Sequence, residues 1–354
     1  MNKKEMRAFD ALEEAQKIAF APFVFQATVC LRQMGILDFI FKNRDEDNVT
    51  IEKIANTLSL DPYGIGVLLE IAESSNIVKK DANLNYELTK TGYFLNYNKT
   101  VDVNINFTND VCYEGLFYLN EAIKNKKPAG LKVFGQWETI YEGLSQLSPQ
   151  VQKSWFEFDH HYSDGIFNDA LKRVFKNNPK TIFDIGGNTG KFALQCLEHN
   201  PEVEINIFDL PGQLSKALAN IKAEGFENRV TGHEINWLKS KRDLPKGADI
   251  IWMSQFLDCF SEEEISNILN SCVASLSNSA EVIIIETFTD RQEYDNARFS
   301  LEATSLYFTA LANGNSKMYS SVVFKKLIEK AGLTITEDHK LGNYHTMLVC
   351  KKMS

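Results

Sequence analysis

Cysteine and histidine are scarce, six of each in 354 residues. Cys30, Cys112, Cys196, Cys259, Cys272 and Cys350 are scattered, with no C-x-x-C pair and no local histidine cluster. That spacing speaks against a disulfide framework or a zinc site and fits reduced thiols in a cytoplasmic protein without a bound metal. Basic residues are in deficit too: 38 Lys and Arg face 47 Asp and Glu, a net charge of −9. A protein that coats duplex nucleic acid needs a basic face to displace counterions, so no nucleic-acid partner is expected. Long hydrophobic runs are missing. The most apolar early stretch, residues 18–31, lies between Lys17 and Arg32 and contains Pro22 and Gln26. It is shorter than the roughly 20 residues a membrane-spanning helix needs, so no membrane contact is expected. The start, MNKKEMRAFDALEEAQ, turns acidic too early for a signal peptide. Residues 18–31 are expected as a helix buried against protein, at a subunit interface.

What is present describes a folded chain. Its 44% hydrophobic and 24% charged residues are ordinary for a globular protein. Its length suggests about two domains. Thr50-Ile-Glu-Lys-Ile-Ala-Asn-Thr-Leu carries apolar residues at helical spacing. Asp61-Pro62 opens a second helix, Asp as N-cap and Pro at the first helical position. Ile77-Val78-Lys79-Lys80 and Tyr86-Glu87-Leu88-Thr89 then flank a turn-rich Asp81-Ala82-Asn83. Helix, helix and two short strands make a winged-helix pattern. Residues 1–105 hold 12 Lys and Arg against 15 Asp and Glu, and the second helix carries Glu70 and Glu73 with no Lys or Arg. A major-groove helix needs cations, so a structural or dimerisation role is the better reading.

Residues 106–178 read as helical and connecting, with apolar faces from Trp137, Trp155, Phe156, Phe158 and Phe167. From Lys180 onward strands alternate with helices, which predicts a doubly wound, mostly parallel sheet. Ser321 begins a last helix, and residues 333–336 and 346–350 read as a closing antiparallel pair.

The segment Asp184-Ile-Gly186-Gly187-Asn188-Thr189-Gly190-Lys191 follows the first strand of this region. An open α/β sheet binds its ligand at such a position. The dinucleotide pattern G-x-G-x-x-G fails, because Asn188 and Lys191 stand where it needs glycine. The pattern acidic-x-G-x-G-x-G matches at Asp184, Gly186 and Gly190 and departs only at Asn188, a residue that tolerates positive φ. The next strand ends in Asp209-Leu210-Pro211. An acid there can accept both hydroxyls of a ribose.

These motifs, with Ala331-Gly332-Leu333 and residues 254–264, resemble the S-adenosylmethionine-dependent O-methyltransferases of the caffeate, hydroxyindole and polyketide-tailoring kind, over nearly the whole chain. The resemblance implies a class I methyltransferase fold, an α/β doubly wound Rossmann-like sheet preceded by an all-helical, winged-helix domain. It implies a dimerisation domain over 1–105, a helical connector to the substrate pocket over 106–178 and a cofactor domain over 179–354. It also implies a homodimer and a small-molecule acceptor. Carried over residue by residue, Asp184, Gly186, Gly187 and Gly190 would line the methionine end of the cofactor. Asp209 and Leu210 would hold the ribose, and Asn236 and Trp237 would flank the adenine. Ser254 and Gln255 would close the site. Asn236 stands where the family has Asp.

The departure lies in the catalytic segment. The family reads Leu-His-Asp-Trp-Ser-Asp-Glu-Glu; this chain reads Leu257-Asp258-Cys259-Phe260-Ser261-Glu262-Glu263-Glu264. Asp258 replaces the histidine base and Ser254 a lysine. One supporting acid falls on Glu286, while a second falls near Val323 and is absent. An ordinary Asp with a pKa near 4 is a poor base for a phenol with a pKa of about 10. Burial and a neighbouring carboxylate could raise it. Three readings stay open: Asp258 as a retuned base, an acceptor activated otherwise, or other chemistry on the scaffold, such as C-methylation or a non-methylating role. His160 and His161, in an aromatic stretch, are alternative bases. Asp258 also sits just ahead of a helix, where Ser261 and Glu264 spell a capping box.

Overall fold

A computed structural model of the chain describes residues 6–46, 48–239 and 243–353. It divides into two compact units, one ending at Asn109 and the other starting at Asp110.

The first unit is mostly helical. Helix Ala8–Gln33 turns at Gly35, whose φ of 74° needs the left-handed region, into helix Ile36–Lys42. Helix Ile51–Leu58 is capped by Thr50, whose side chain accepts from the Lys53 amide, and helix Pro62–Ser74 by Asp61. The strands β1 (Val78–Lys80) and β2 (Tyr86–Leu88) pair as an antiparallel hairpin. Leu31, Ile36, Leu37, Ile40, Ile54 and Leu69 form the core. Helix Ala8–Gln33 gets little burial from its own chain, so the expected cover would have to come from a partner copy. Only Thr28, Val29 and Leu31 are buried within the chain, while Ile18 and Phe23 are 75% and 67% exposed. No single helix among the described residues is long and apolar enough to cross a membrane.

The second unit is built on a sheet. Its strands are β3 (Thr181–Ile185), β4 (Glu204–Asp209), β5 (Val230–Glu234), β6 (Ile250–Ser254), β7 (Glu281–Glu286), β8 (Leu333–Leu341) and β9 (His345–Lys352). They lie in the order β5-β4-β3-β6-β7-β9-β8. β5, β4, β3, β6 and β7 run parallel; β9 runs antiparallel to β7, and β8 to β9. β3, β6 and β7 are buried almost throughout and are largely apolar, as strands covered on both faces are, with Asp184 and Glu286 among the buried exceptions. Trp252 of β6 stacks on Phe192 of helix Lys191–His199 with ring centroids 3.8 Å apart.

From β3 the chain passes to β4 and β5, then returns to the other side of β3 as β6. The crevice at the carboxyl ends of β3 and β6 is therefore the topological switch point, where open α/β sheets take ligands. The turn 186–190 leaves one lip of it and residues 254–260 leave the other.

Candidate functional site

At the end of β3 the chain turns through Gly186, with φ 73°, and Gly187. A Cβ on Gly186 would lie 2.3 Å from the Phe256 ring, and one on Gly187 would lie 2.9 Å from Asp184 Oδ2. Main chain therefore forms the floor here, and any larger residue would fill it. Asn188 takes the left-handed φ of 51° that the sequence pattern assigns to glycine. Its N–H donates to Asp209 Oδ2 at 2.8 Å, and the Leu210 N–H donates to Asp209 Oδ1 at 2.7 Å. The acid at the tip of β4 is thus locked to the turn after β3. Each of its oxygens keeps a free lone pair.

Asp184 is 2% exposed, and its Oδ2 has no hydrogen-bond partner among the described residues. Burial, with the charge of Asp209 adding, pushes its carboxyl up to about 7. Burial pushes Asp209 to about 7 as well, against the pull of its two amide donors. A buried carboxyl beside a half-buried one, with no cation paired to either among the described residues, is unfavourable in the ionised state. The consequence for stability has a definite sign. A carboxyl raised in the fold stays protonated while its unfolded counterpart ionises. Stability is therefore lost as pH rises from about 4, the unfolded value, to the folded value near 7. The melting temperature of the ligand-free protein is expected to fall across that window, and Asp184→Asn to flatten the fall. An unchanged slope in the variant, measured by thermal unfolding from pH 4 to 8, would remove Asp184 as its source.

Beyond the ends of β4 and β5 opens a cavity of about 460 Å³, bordered by Glu142, Leu210, Pro211, Glu234, Asn236 and Lys239. Asn236 accepts the Leu238 N–H at 2.9 Å and donates to Glu142 Oε1 at 3.3 Å. Trp237 is buried in the core, edge-on to Phe256 at 5.9 Å.

The opposite lip is rigid. Gln255, directly after β6, holds a left-handed φ of 46°. Its N–H donates to the Ile285 carbonyl at 2.8 Å, and its Oε1 takes a hydrogen bond from His345 Nε2. Burial keeps His345 neutral by lowering its pKa to about 4. The Oγ of Ser254 is buried without a hydrogen-bond partner among the described residues. Leu257–Cys259 form a single 3-10 turn. It is fastened by three groups: Glu286 Oε1 accepts the Leu257 N–H at 2.9 Å, Asn313 Nδ2 donates to the Cys259 carbonyl at 3.0 Å, and the Tyr319 hydroxyl donates to the Phe260 carbonyl at 2.7 Å. The capping box between Ser261 and Glu264 starts the following helix, Glu262–Ser275.

Asp258 rides on this turn, 5% exposed, and accepts from the Cys259 thiol at 3.5 Å. Among the described residues, no lysine, arginine or histidine forms an ion pair with it. Burial, with the charge of Asp159 adding, raises its carboxyl to about 7. Glu286, 2% exposed, is pushed well above the usual range by burial and by Asp258, and its Oε2 has no hydrogen-bond partner among the described residues. The two acids therefore form one electrostatic unit.

The histidines lie elsewhere. His160 Nδ1 is 3.3 Å from Asp164 Oδ1, and His161 sits edge-on to Tyr162, both on helix Pro149–Ser163. Asp159, their neighbour, is the residue sequence reasoning missed. Its Oδ2 accepts from Asn188 Nδ2 at 2.8 Å, and burial raises it to about 6. Tyr141 also escaped notice, while Tyr307, one of the aromatics the sequence offers for an apolar substrate site, accepts from Trp155 Nε1 at 2.8 Å; burial keeps both phenols protonated. No local spacing joins 159 to 188 or 155 to 307. An acid inside an aromatic run was the one available signal.

Comparison with known proteins gives a family match. Residues 116–334 match the family model for an O-methyltransferase domain, and residues 13–83 that for a Dimerisation2-like domain. The chain is 23% identical to the O-methyltransferase SfmM3 of Streptomyces lavendulae over 345 residues, covering 91% of this chain and 94% of that one. It is 22% identical to the L-tyrosine C(3)-methyltransferase of the same organism, covering 89% and 85%. Among solved structures it superposes on the O-methyltransferase NcsB1 of neocarzinostatin biosynthesis, solved with S-adenosylmethionine and 2-hydroxy-5-methyl naphthoic acid. That match has a TM-score of 0.68 and 18% identity, covering 93% of this chain and 96% of that one.

Proposed function

Since this chain belongs to the O-methyltransferase family, enzymes that use S-adenosylmethionine, we propose that it methylates a hydroxyl of a small aromatic or polyketide-like acceptor with Asp258 as the base. The residues fit the cofactor. A bare main-chain floor lies beside the unpartnered Asp184 Oδ2, and a carboxylate with free lone pairs stands at the next strand tip. Asp184, Gly186, Gly187 and Gly190 would take its amino-acid end, and Asp209 with Leu210 its ribose. Asn236 and the cavity beyond β4 would take its base, with Trp237 backing that wall from the core. Ser254 and Gln255 would border its sulfur. When bound, S-adenosylmethionine supplies an electrophilic methyl group on a sulfonium.

The chain's own residues handle the acceptor and the proton. The observation that carries this reading is the buried, cation-free pair Asp258 and Glu286 on a turn fastened at three points. A carboxylate with a pKa near 7 is a far better match for a phenol than one near 4. Asp258 accepts the hydroxyl proton; Glu286 orients the turn through the Leu257 amide. His160, engaged with Asp164, and His161 are the reserve bases. The exposed apolar face of helix Ala8–Gln33, within the stretch matching the Dimerisation2-like model, would pair two copies.

The tyrosine C(3)-methyltransferase among the relatives supports a second reading, transfer to an aromatic carbon of a phenol. Asp258 would then ionise the hydroxyl beside the reacting carbon. Incubation with methyl-labelled S-adenosylmethionine and a panel of phenolic acids and phenolic amino acids tests both. Label in an ether supports the first, label on ring carbon the second, and no label in any phenol removes both.

A further inference from the structure

Asn188 occupies a position where the family pattern has glycine, and it carries the left-handed bend that the glycine would take. A side chain in that region costs strain, least for asparagine. Here the side chain has a use. While its main-chain N–H reaches Asp209, its Nδ2 reaches Asp159 Oδ2, both at 2.8 Å. Glycine could make only the first bond. The charges of His160 and Lys191 also act on Asp159, but among the described residues the Asn188 amide is the group within hydrogen-bond reach of it. On its own helix, His160 engages Asp164 at 3.3 Å and stands 3.9 Å from Asp159, beyond hydrogen-bond reach. Lys191, from the helix after the turn, is taken by Asp164 at 2.5 Å. The Asp159 side chain is about one quarter exposed, so its bond to Asn188 is only partly screened by water.

We propose that Asp159 is a positioning residue: through the side-chain amide of Asn188 it clasps helix Pro149–Ser163 to the turn after β3 and holds the bend that delivers the Asn188 N–H to Asp209. The helix so clasped carries Trp155, Phe156 and Phe158. The acceptor side and the cofactor side of the site are thereby joined by one side chain, and order in one is felt by the other. This inference rests on the reading of Asp209 and the glycine turn as the cofactor's seat.

Calorimetric titration of the full chain with S-adenosylhomocysteine reads the turn without turnover. Absence of binding by the unaltered chain would overturn the cofactor reading itself. Given binding, Asp159→Ala is expected to weaken it about tenfold, the worth of one hydrogen bond to a charged group. Asp159→Asn keeps an acceptor oxygen and should stay within about threefold. Asn188→Gly accommodates the bend unaided, so Asp159→Ala made in that background should change affinity less than about twofold. The KM for S-adenosylmethionine should rise with the binding constant, with a much smaller change in kcat. If Asp159→Ala does not fold, as judged by circular dichroism, Asn188→Asp reads the same bond. It keeps the left-handed preference, replaces the donor by a carboxylate that repels Asp159, and should cost at least tenfold. Two results would overturn the clasp: unaltered affinity in these variants, or an equal loss from Asp159→Ala with and without the Asn188 side chain.

Discussion

Asp258→Asn is expected to lower kcat by about 10²- to 10³-fold, the range removed with a general base, and to leave affinity for S-adenosylhomocysteine within about twofold. The substitution is nearly isosteric and cannot take up a proton. It also removes a buried charge that no cation among the described residues compensates, so the melting temperature at pH 8 should not fall. Loss of turnover in an equally stable protein cannot then be put down to unfolding. The pH profile carries the same test. The base must be ionised, so kcat should rise with pH through a limb near 7, and the variant should lose that limb. Unchanged turnover would leave Asp258 a structural acid ahead of helix Glu262–Ser275, and the acceptor would need no base from this turn.

Asp209→Ala should act on the other half of the site. The carboxylate holds the turn through the Asn188 and Leu210 amides, and the reading given above adds two ribose hydroxyls. Two charge-assisted hydrogen bonds at about 1.5 kcal/mol each amount to a loss of at least 100-fold in cofactor affinity. The effect should appear in the dissociation constant of S-adenosylhomocysteine and in the KM for S-adenosylmethionine. The KM for the acceptor at saturating cofactor should move far less. Affinity reduced less than about fivefold would place the ribose elsewhere.

Much of this molecule is legible in its residues because local rules suffice. The buried strands announce themselves as runs such as Ile250-Ile-Trp-Met, and the helix caps Thr50, Asp61 and Ser261 are placed by side chains within a few positions of them. Asp184, the glycines and Asp209 form a pattern because a short turn and the next strand tip are close in sequence as well as in space. The pairings that complete the site have no such signature. Asp159 meets Asn188 from 29 positions away, and His345 reaches Gln255 across 90. Nor does sequence reveal that Phe308–Ala312 leaves helix Asp295–Tyr307 as a π-helical turn. The charge state of Asp258 follows from its enclosure, and enclosure is a property of the whole second unit.

The strand β9 lies inside the sheet, not at its edge, with Thr346 opposite Glu286 and His345 bound to Gln255. A chain emerging from the ribosome can fold its first unit and several parallel strands early. The turn 257–259 is complete only once residues 345–352 have slotted between β7 and β8. Order in that turn is therefore acquired late in folding, and a chain lacking residues 345–352 would leave β7 without its antiparallel neighbour and Gln255 without His345.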